Sequence, residues 1–158
     1  MIKKKLNFDK LIVENSIRKY TVRQTISLDL CKDVLFENQN NRFFYGTENK
    51  NRLKICRIKN PLNFIFPKLI FSFEKDNFQC FSVRLGILSM LLYLPIVFIC
   101  ISAIVINLID GNFNFDIILF LSMLALIFFL TIFEYKLTYN KINKAVGFEN
   151  EINQIGFV

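Results

Sequence analysis

Two carboxylate pairs are the closest this chain comes to a catalytic constellation: Asp29 with Asp33, and Glu74 with Asp76. Two carboxyl groups in unlike environments can divide acid and base work between them. Both pairs, however, stand beside lysines, Lys32 and Lys75, in turn-like sequence, and solvated turn charges account for that pattern more simply. The chain has no histidine, which removes the usual base of Ser and Cys triads and the commonest neutral metal ligand. Its five glycines, Gly46, Gly86, Gly111, Gly147 and Gly156, are too dispersed to form a phosphate cradle. Cys31, Cys56, Cys80 and Cys100 include no CxxC spacing, so they read as reduced thiols in a cytosolic setting, neither a disulfide framework nor a zinc site. These residues lead to the expectation of a non-enzymatic protein with no cofactor.

The elements that position everything else are two apolar runs. Leu85 to Ile109 is 25 residues without a charge, and Ile117 to Phe133 is a second uncharged run of 17. A helix needs roughly 20 apolar residues to cross a bilayer core about 30 Å thick. Core helices of soluble proteins seldom reach such lengths without a charge, and a signal peptide would not begin after 84 residues. The expectation is a transmembrane hairpin: helix 1 over 85–109, an external loop over 110–116, and helix 2 over 117–135. The loop, Asp110 to Asp116, is short enough to force antiparallel neighbours, with Gly111 and two asparagines for the turn.

Charge sets the expected orientation. Residues 1–84 carry 17 Lys and Arg against 8 Asp and Glu, the loop has two acids and no cation, and residues 134–158 carry three of each. By the positive-inside rule both termini are cytoplasmic, in the inner (plasma) membrane. The N-terminal excess needs no nucleic acid to explain it. Its cations, among them Arg52, Lys54, Arg57 and Lys59, fall on both sides of one expected strand and do not gather on one face with aromatics.

Residues 1–84 read as a basic, β-rich cytosolic domain. Tyr20 to Leu30 alternates with period 2, the pattern of a half-buried strand. Short strands follow at Val34–Phe36, Arg42–Tyr45, Leu53–Ile58, 62–73 and Phe78–Val83, broken by turns at Asn38–Asn41, Gly46–Asn51 and Glu74–Asn77. Counting the two halves of 62–73 separately, about seven short strands point to a small antiparallel barrel or curled sheet. Residues 6–16 do not settle helix against strand. Residues 136–158 form the cytosolic C-terminal tail, with a short helix ending at Gly147. The fold class expected is a membrane protein of α+β type: a small antiparallel β-rich domain followed by a two-helix transmembrane hairpin.

Within that layout, Phe64, Phe66, Lys68, Phe71, Arg84 and Lys136 are candidates for the membrane interface. Gly86, Ser89, Ser102, Ser122 and Ala125 are candidates for close helix packing, being small and spaced on common helical faces. Neither run contains an ionisable residue, which argues against an ion carrier or pump. The expected partners are the bilayer and either further copies or another protein.

In layout, a small β-rich domain on a two-helix anchor is similar to bacterial antiphage effectors that sense a nucleotide in a β-barrel and disrupt membranes. It is also similar to small pleckstrin-like bacterial membrane proteins. The likeness is of architecture and not of any motif. It implies a defence effector whose cytosolic domain binds a protein or small ligand while the hairpin anchors or oligomerises. The alternative is an immunity or accessory subunit that binds a toxin or a larger membrane complex. Abundant Lys, Asn, Ile and Phe point to an AT-rich, bacterial coding sequence.

Overall fold

The computed structural model describes residues 2–29, 42–59, 65–111 and 115–155. The architecture is α+β: a six-stranded sheet, then two long apolar helices. The strands are β1 (Ile2–Lys5), β2 (Thr21–Arg23), β3 (Phe44–Glu48), β4 (Arg52–Arg57), β5 (Leu69–Glu74) and β6 (Asn77–Leu85). Helix α1 (Lys10–Lys19) follows β1, α2 (Ile87–Ile109) follows β6, and α3 (Phe115–Ile155) closes the chain.

The sheet runs in the order β1-β6-β5-β4-β3-β2. Four of its five pairings are antiparallel, but β2 lies parallel to β3, with Thr21 beside Phe44 and Arg23 beside Gly46. The expected antiparallel barrel or curled sheet is therefore corrected to a mixed sheet with β1 and β2 at its two edges. The long alternating strand expected over 20–30 is also shortened, to Thr21–Arg23. Its alternation holds only while the ladder lasts. After Gln24 donates its N–H to the Gly46 carbonyl (2.8 Å), the chain leaves the edge. Ile26 then stands 58 % exposed while Leu28 is buried. The stretch Val34–Phe36 lies outside the described residues, as does the Asn38–Asn41 turn.

The sheet has two unlike faces because strand side chains alternate. On one face Phe44, Leu53, Ile55, Leu69, Phe71, Phe73 and Phe81 pack against Val13 and Ile17 of α1 and Ile142, Ala145 and Val146 of α3. The three- and four-residue spacings of those helical residues place them on single stripes, as an amphipathic helix requires. Residues after 136 thus belong to the same core as the strands, and α3 passes through Gly147 without a break. The opposite face carries a smaller cluster, Leu28, Tyr45, Cys56, Ile58 and Ile70 with Val22. Residues 24–29 reach across that second face from the β2 edge to Arg84 on β6.

Gly46 shows why the β2–β3 pairing tolerates no side chain there. A Cβ at this position would collide with the Thr21 methyl and sit 3.3 Å from the Lys54 carbonyl.

Helices α2 and α3 contrast with this. In each, the most apolar 18-residue window has a mean hydropathy of 2.6 and is only 6 % buried. Both are long and apolar enough to cross a membrane. Against each other they bury Cys100 and Ile117, while Phe98, Ile109, Phe115 and Phe128 stand 68–78 % exposed. Polar side chains inside them turn back on their own helix: Asn107 donates to the Ala103 carbonyl (2.8 Å), Ser122 to Leu119 (2.7 Å) and Thr131 to Ile127 (2.9 Å).

Candidate functional site

The most heavily wired part of the molecule is the junction where the two apolar helices meet the sheet. It is built at the strand ends opposite the β3–β4 and β5–β6 turns. Only Gly86 separates β6 from α2. Its N–H donates to the Lys68 carbonyl (2.8 Å), and Ser89 Oγ accepts the Lys68 N–H (2.8 Å). The first turn of α2 leaves N–H groups without helical partners. The Asp29 carboxylate answers one, accepting from Ile87 N (2.9 Å) while gripping Arg84 through both guanidinium ends (3.1 and 2.7 Å). A carboxylate at a helix N-terminus is favoured by the helix dipole as well. The Arg84 hydrogen bonds, reinforced by the Ile87 N–H, hold the Asp29 carboxyl below the usual carboxylate range against the opposing effect of burial.

The second anchor is on α3. Glu134 is the first charge after the uncharged run, yet it is only 1 % exposed. Arg57 of β4, 5 % exposed, meets it with both Nε (3.0 Å to Oε1) and NH2, the latter donating to Oε2. Thr138 Oγ1, one turn along α3, adds a contact to Oε1 (3.4 Å). Removing two charges from water is costly, and such a pair persists only with good geometry and extra hydrogen bonds. What it fixes is register: α3 is tied to one strand at one height. Beyond it, burial and the nearby positive Arg57 and Lys144 push the Lys141 ammonium below the usual lysine range, and its Nζ lies 5.0 Å from the Phe43 ring centre.

An aromatic seam completes the junction. Phe66 stacks on Phe133 (5.4 Å), Phe71 on Tyr135 (5.9 Å), and Tyr135 on Tyr139 (6.0 Å). Lys59 Nζ donates to the Phe66 carbonyl (2.7 Å), and Tyr93 Oη of α2 to the Ile65 carbonyl (3.1 Å).

The interface candidates separate by place. Phe66, Lys68 and Arg84 sit at the junction, though Lys68 is buried and Arg84 is occupied by Asp29. Lys136 is exposed on α3. Phe71 is wholly buried in the sheet core, so its ring packs against protein and not lipid. Phe64 lies outside the described residues. Of the packing candidates, Gly86 and Ser89 serve the Lys68 contact, Ser102 is half-buried, and Ser122 and Ala125 are exposed. Cys56 and Cys100 are buried thiols and Cys80 is half-buried.

Sequence reasoning missed both Asp29 as a helix cap and the Arg57–Glu134 pair. A signal existed for the second: a lone acid closing a long apolar run needs a cation within reach.

A second electrostatic cluster lies at the turn end of the sheet. Glu48 accepts from both Arg18 terminal nitrogens (3.0 and 2.9 Å) and from Lys75 (2.9 Å), with Arg23 at 3.2 Å. Hydrogen bonds from Arg18 and then Lys75 pull its carboxyl down to about 2.

No protein-family model, curated protein sequence or solved structure matches the chain.

Proposed function

We propose that this chain is a non-enzymatic integral protein of the inner (plasma) membrane. In this reading α2 and the first half of α3 form a hairpin through the bilayer, and both termini are cytoplasmic. The sheet, with α1 and the second half of α3, is a binding module for a protein or small ligand, and the hairpin anchors it or assembles with copies.

The observation that carries the reading is the bareness of the two apolar helices beside a sheet whose own apolar residues are packed away. Large contiguous apolar surface marks a membrane or a partner. The internal satisfaction of Asn107, Ser122 and Thr131 suits a medium that offers no hydrogen bonds. The charge asymmetry across the loop favours the orientation given.

Two short connections, Gly86 and the Arg57–Glu134 clamp, would leave the module little freedom to swing. A ligand bound on the sheet would then bias the hairpin directly. This is the property expected of a defence effector, and equally useful to an immunity subunit held at its target.

Extraction of expressed membranes with alkaline carbonate tests the first step. The chain is expected to stay in the pellet and to move to the supernatant only with detergent. Release by carbonate alone would overturn the membrane reading. Copy number by native mass spectrometry then separates roles. A defined ring supports an effector, and a one-to-one complex with a co-purifying protein supports an immunity or accessory subunit.

A further inference from the structure

A cleft of about 450 Å³ opens between α3 and the β1 side of the sheet, within the range of small-molecule sites. One wall is Phe128, Thr131, Ile132 and Tyr135 of α3; the other is Leu69, Val83 and Leu85, with Lys4 and Arg84. The wall is chemically graded. Phe128, Thr131 and Ile132 belong to the uncharged run, whereas Tyr135 follows the first charge, Glu134. Lys4 Nζ lies 5.0 Å from the Tyr135 ring centre and forms no ion pair among the described residues. Arg84 borders the cleft between Val83 and Leu85, but its guanidinium is held by Asp29 on the opposite face of the sheet, which leaves Lys4 as the cation of this wall. Among the described residues no carboxylate lines the cleft. One polar atom of the wall is also unanswered: the Tyr135 hydroxyl is closed off from water and has no hydrogen-bond partner among the described residues. Buried hydroxyls are rarely left so.

We propose that this cleft holds one anionic phospholipid, an acyl chain along Phe128, Thr131 and Ile132 and the phosphate at Lys4. The inference rests on the membrane reading above, which sets the apolar end of the cleft at acyl depth and the cationic end at headgroup depth. An apolar slot closed by a cation complements an anionic amphiphile along its whole length. A headgroup or ester oxygen, admitted by a small turn of the ring, supplies the acceptor that Tyr135 lacks. Neighbouring Lys5 points to the other face of β1, because strand residues alternate. It serves as a control of equal charge.

The full chain is inserted into nanodiscs of equal phosphatidylcholine and phosphatidylglycerol, re-extracted gently, and its retained lipid counted by native mass spectrometry. The unaltered chain is expected to keep one phosphatidylglycerol. Lys4→Glu lowers that retention about fivefold or more, and Lys5→Glu leaves it alone. Thr131→Trp or Val83→Trp, each filling the slot from one wall, removes the retained phosphatidylglycerol, with circular dichroism confirming that the helices persist. Equal loss in Lys4→Glu and Lys5→Glu would reveal only diffuse surface charge and overturn the site. So would retention that ignores both tryptophan variants, the behaviour expected of a phosphate bound without its chain. A chain that never enters nanodiscs overturns the membrane reading and the site together. One that enters but retains no lipid overturns the site alone.

Discussion

Removing one partner of the Arg57–Glu134 pair is the sharpest test of how sheet and helix are coupled. At an effective dielectric near 20, two unit charges about 4 Å apart attract by about 4 kcal/mol. The pair here is closer and bidentate, with the two residues 5 % and 1 % exposed, so little water screens it. Truncating one side leaves the other charge buried and alone, which typically costs about 3–5 kcal/mol. Arg57→Met and Glu134→Leu are each expected to destabilise by that amount. In a chain of this length about 1 kcal/mol moves Tm by roughly 2–4 °C, so each single change lowers Tm by about 6–20 °C.

The double variant is the informative one. Two apolar side chains of similar volume bury no charge, and such replacements are often neutral or better. Arg57→Met with Glu134→Leu should therefore recover most of the loss. The assay is thermal unfolding in mild detergent, followed by near-ultraviolet circular dichroism of the tyrosines, since the chain has no tryptophan. Additive losses in the double variant would refute the reasoning, because they would mean that each side chain acts through packing and not through its charge. Single losses below about 1 kcal/mol would refute it too, as the pair would then behave like an exposed one.

Glu48 gives a pH dependence with a definite sign. Its folded carboxyl sits at about 2, below its ordinary 4.5, so its stabilisation is complete above that ordinary value and fades as pH falls towards about 2; Glu48→Gln should flatten the Tm profile between those limits and leave it unchanged in shape above pH 6. Gly46→Val forces a side chain into the Thr21 methyl and should cost about 1–3 kcal/mol, read as a drop in denaturation midpoint; an unchanged midpoint would contradict the close β2–β3 approach. Asp29→Ala removes the α2 cap, for which about 0.5–2 kcal/mol is expected, with Asp29→Asn keeping most of it; equal losses in the two would assign the effect to the Arg84 charge instead. Leu126 and Leu11 are similarly exposed, at 56 % and 65 %, yet Leu126→Arg should cost about 2.5–3.5 kcal/mol of insertion in a glycosylation-tag assay while Leu11→Arg costs nothing; equal outcomes would mean that α3 is not in lipid.

What could be read from the sequence followed the length over which each pattern persists. The two apolar runs are long, and both emerged as helix, α2 nearly as read and α3 starting with the second run but continuing well past it, because no other element satisfies that many backbone groups in sequence without partners. The strands at Leu53–Ile58 and Phe78–Val83 also emerged nearly as read, since turns bracket each. The reading failed where a local pattern was overruled by a distant partner. Tyr20 to Leu30 alternates well, but β2 has a neighbour for only three residues, and beyond them Leu28 and Asp29 serve the opposite face and α2. The expected turn at Gly46 became strand, because Gly46 is small for the sake of Thr21 and not for a bend.

The longest misreading concerns α3, and its cause explains the site. Polar sequence after Phe133 looks like the end of a hydrophobic helix when hydropathy alone is followed. Periodicity says otherwise: Thr138, Ile142, Ala145 and Val146 all lie on one stripe, each buried. The same helix therefore changes its surroundings midway, largely bare up to Phe133 and packed along one stripe after it. A helix that does so needs something at the crossover to stop it sliding along its axis, since neither half alone specifies a height. Glu134 stands at that crossover, and Arg57 reaches it from β4, a strand paired on both sides. Buried ion pairs are weak sources of net stability but can specify register. On that ground the Arg57–Glu134 pair sets the height of α3 against the sheet, and its truncation is expected to loosen that register.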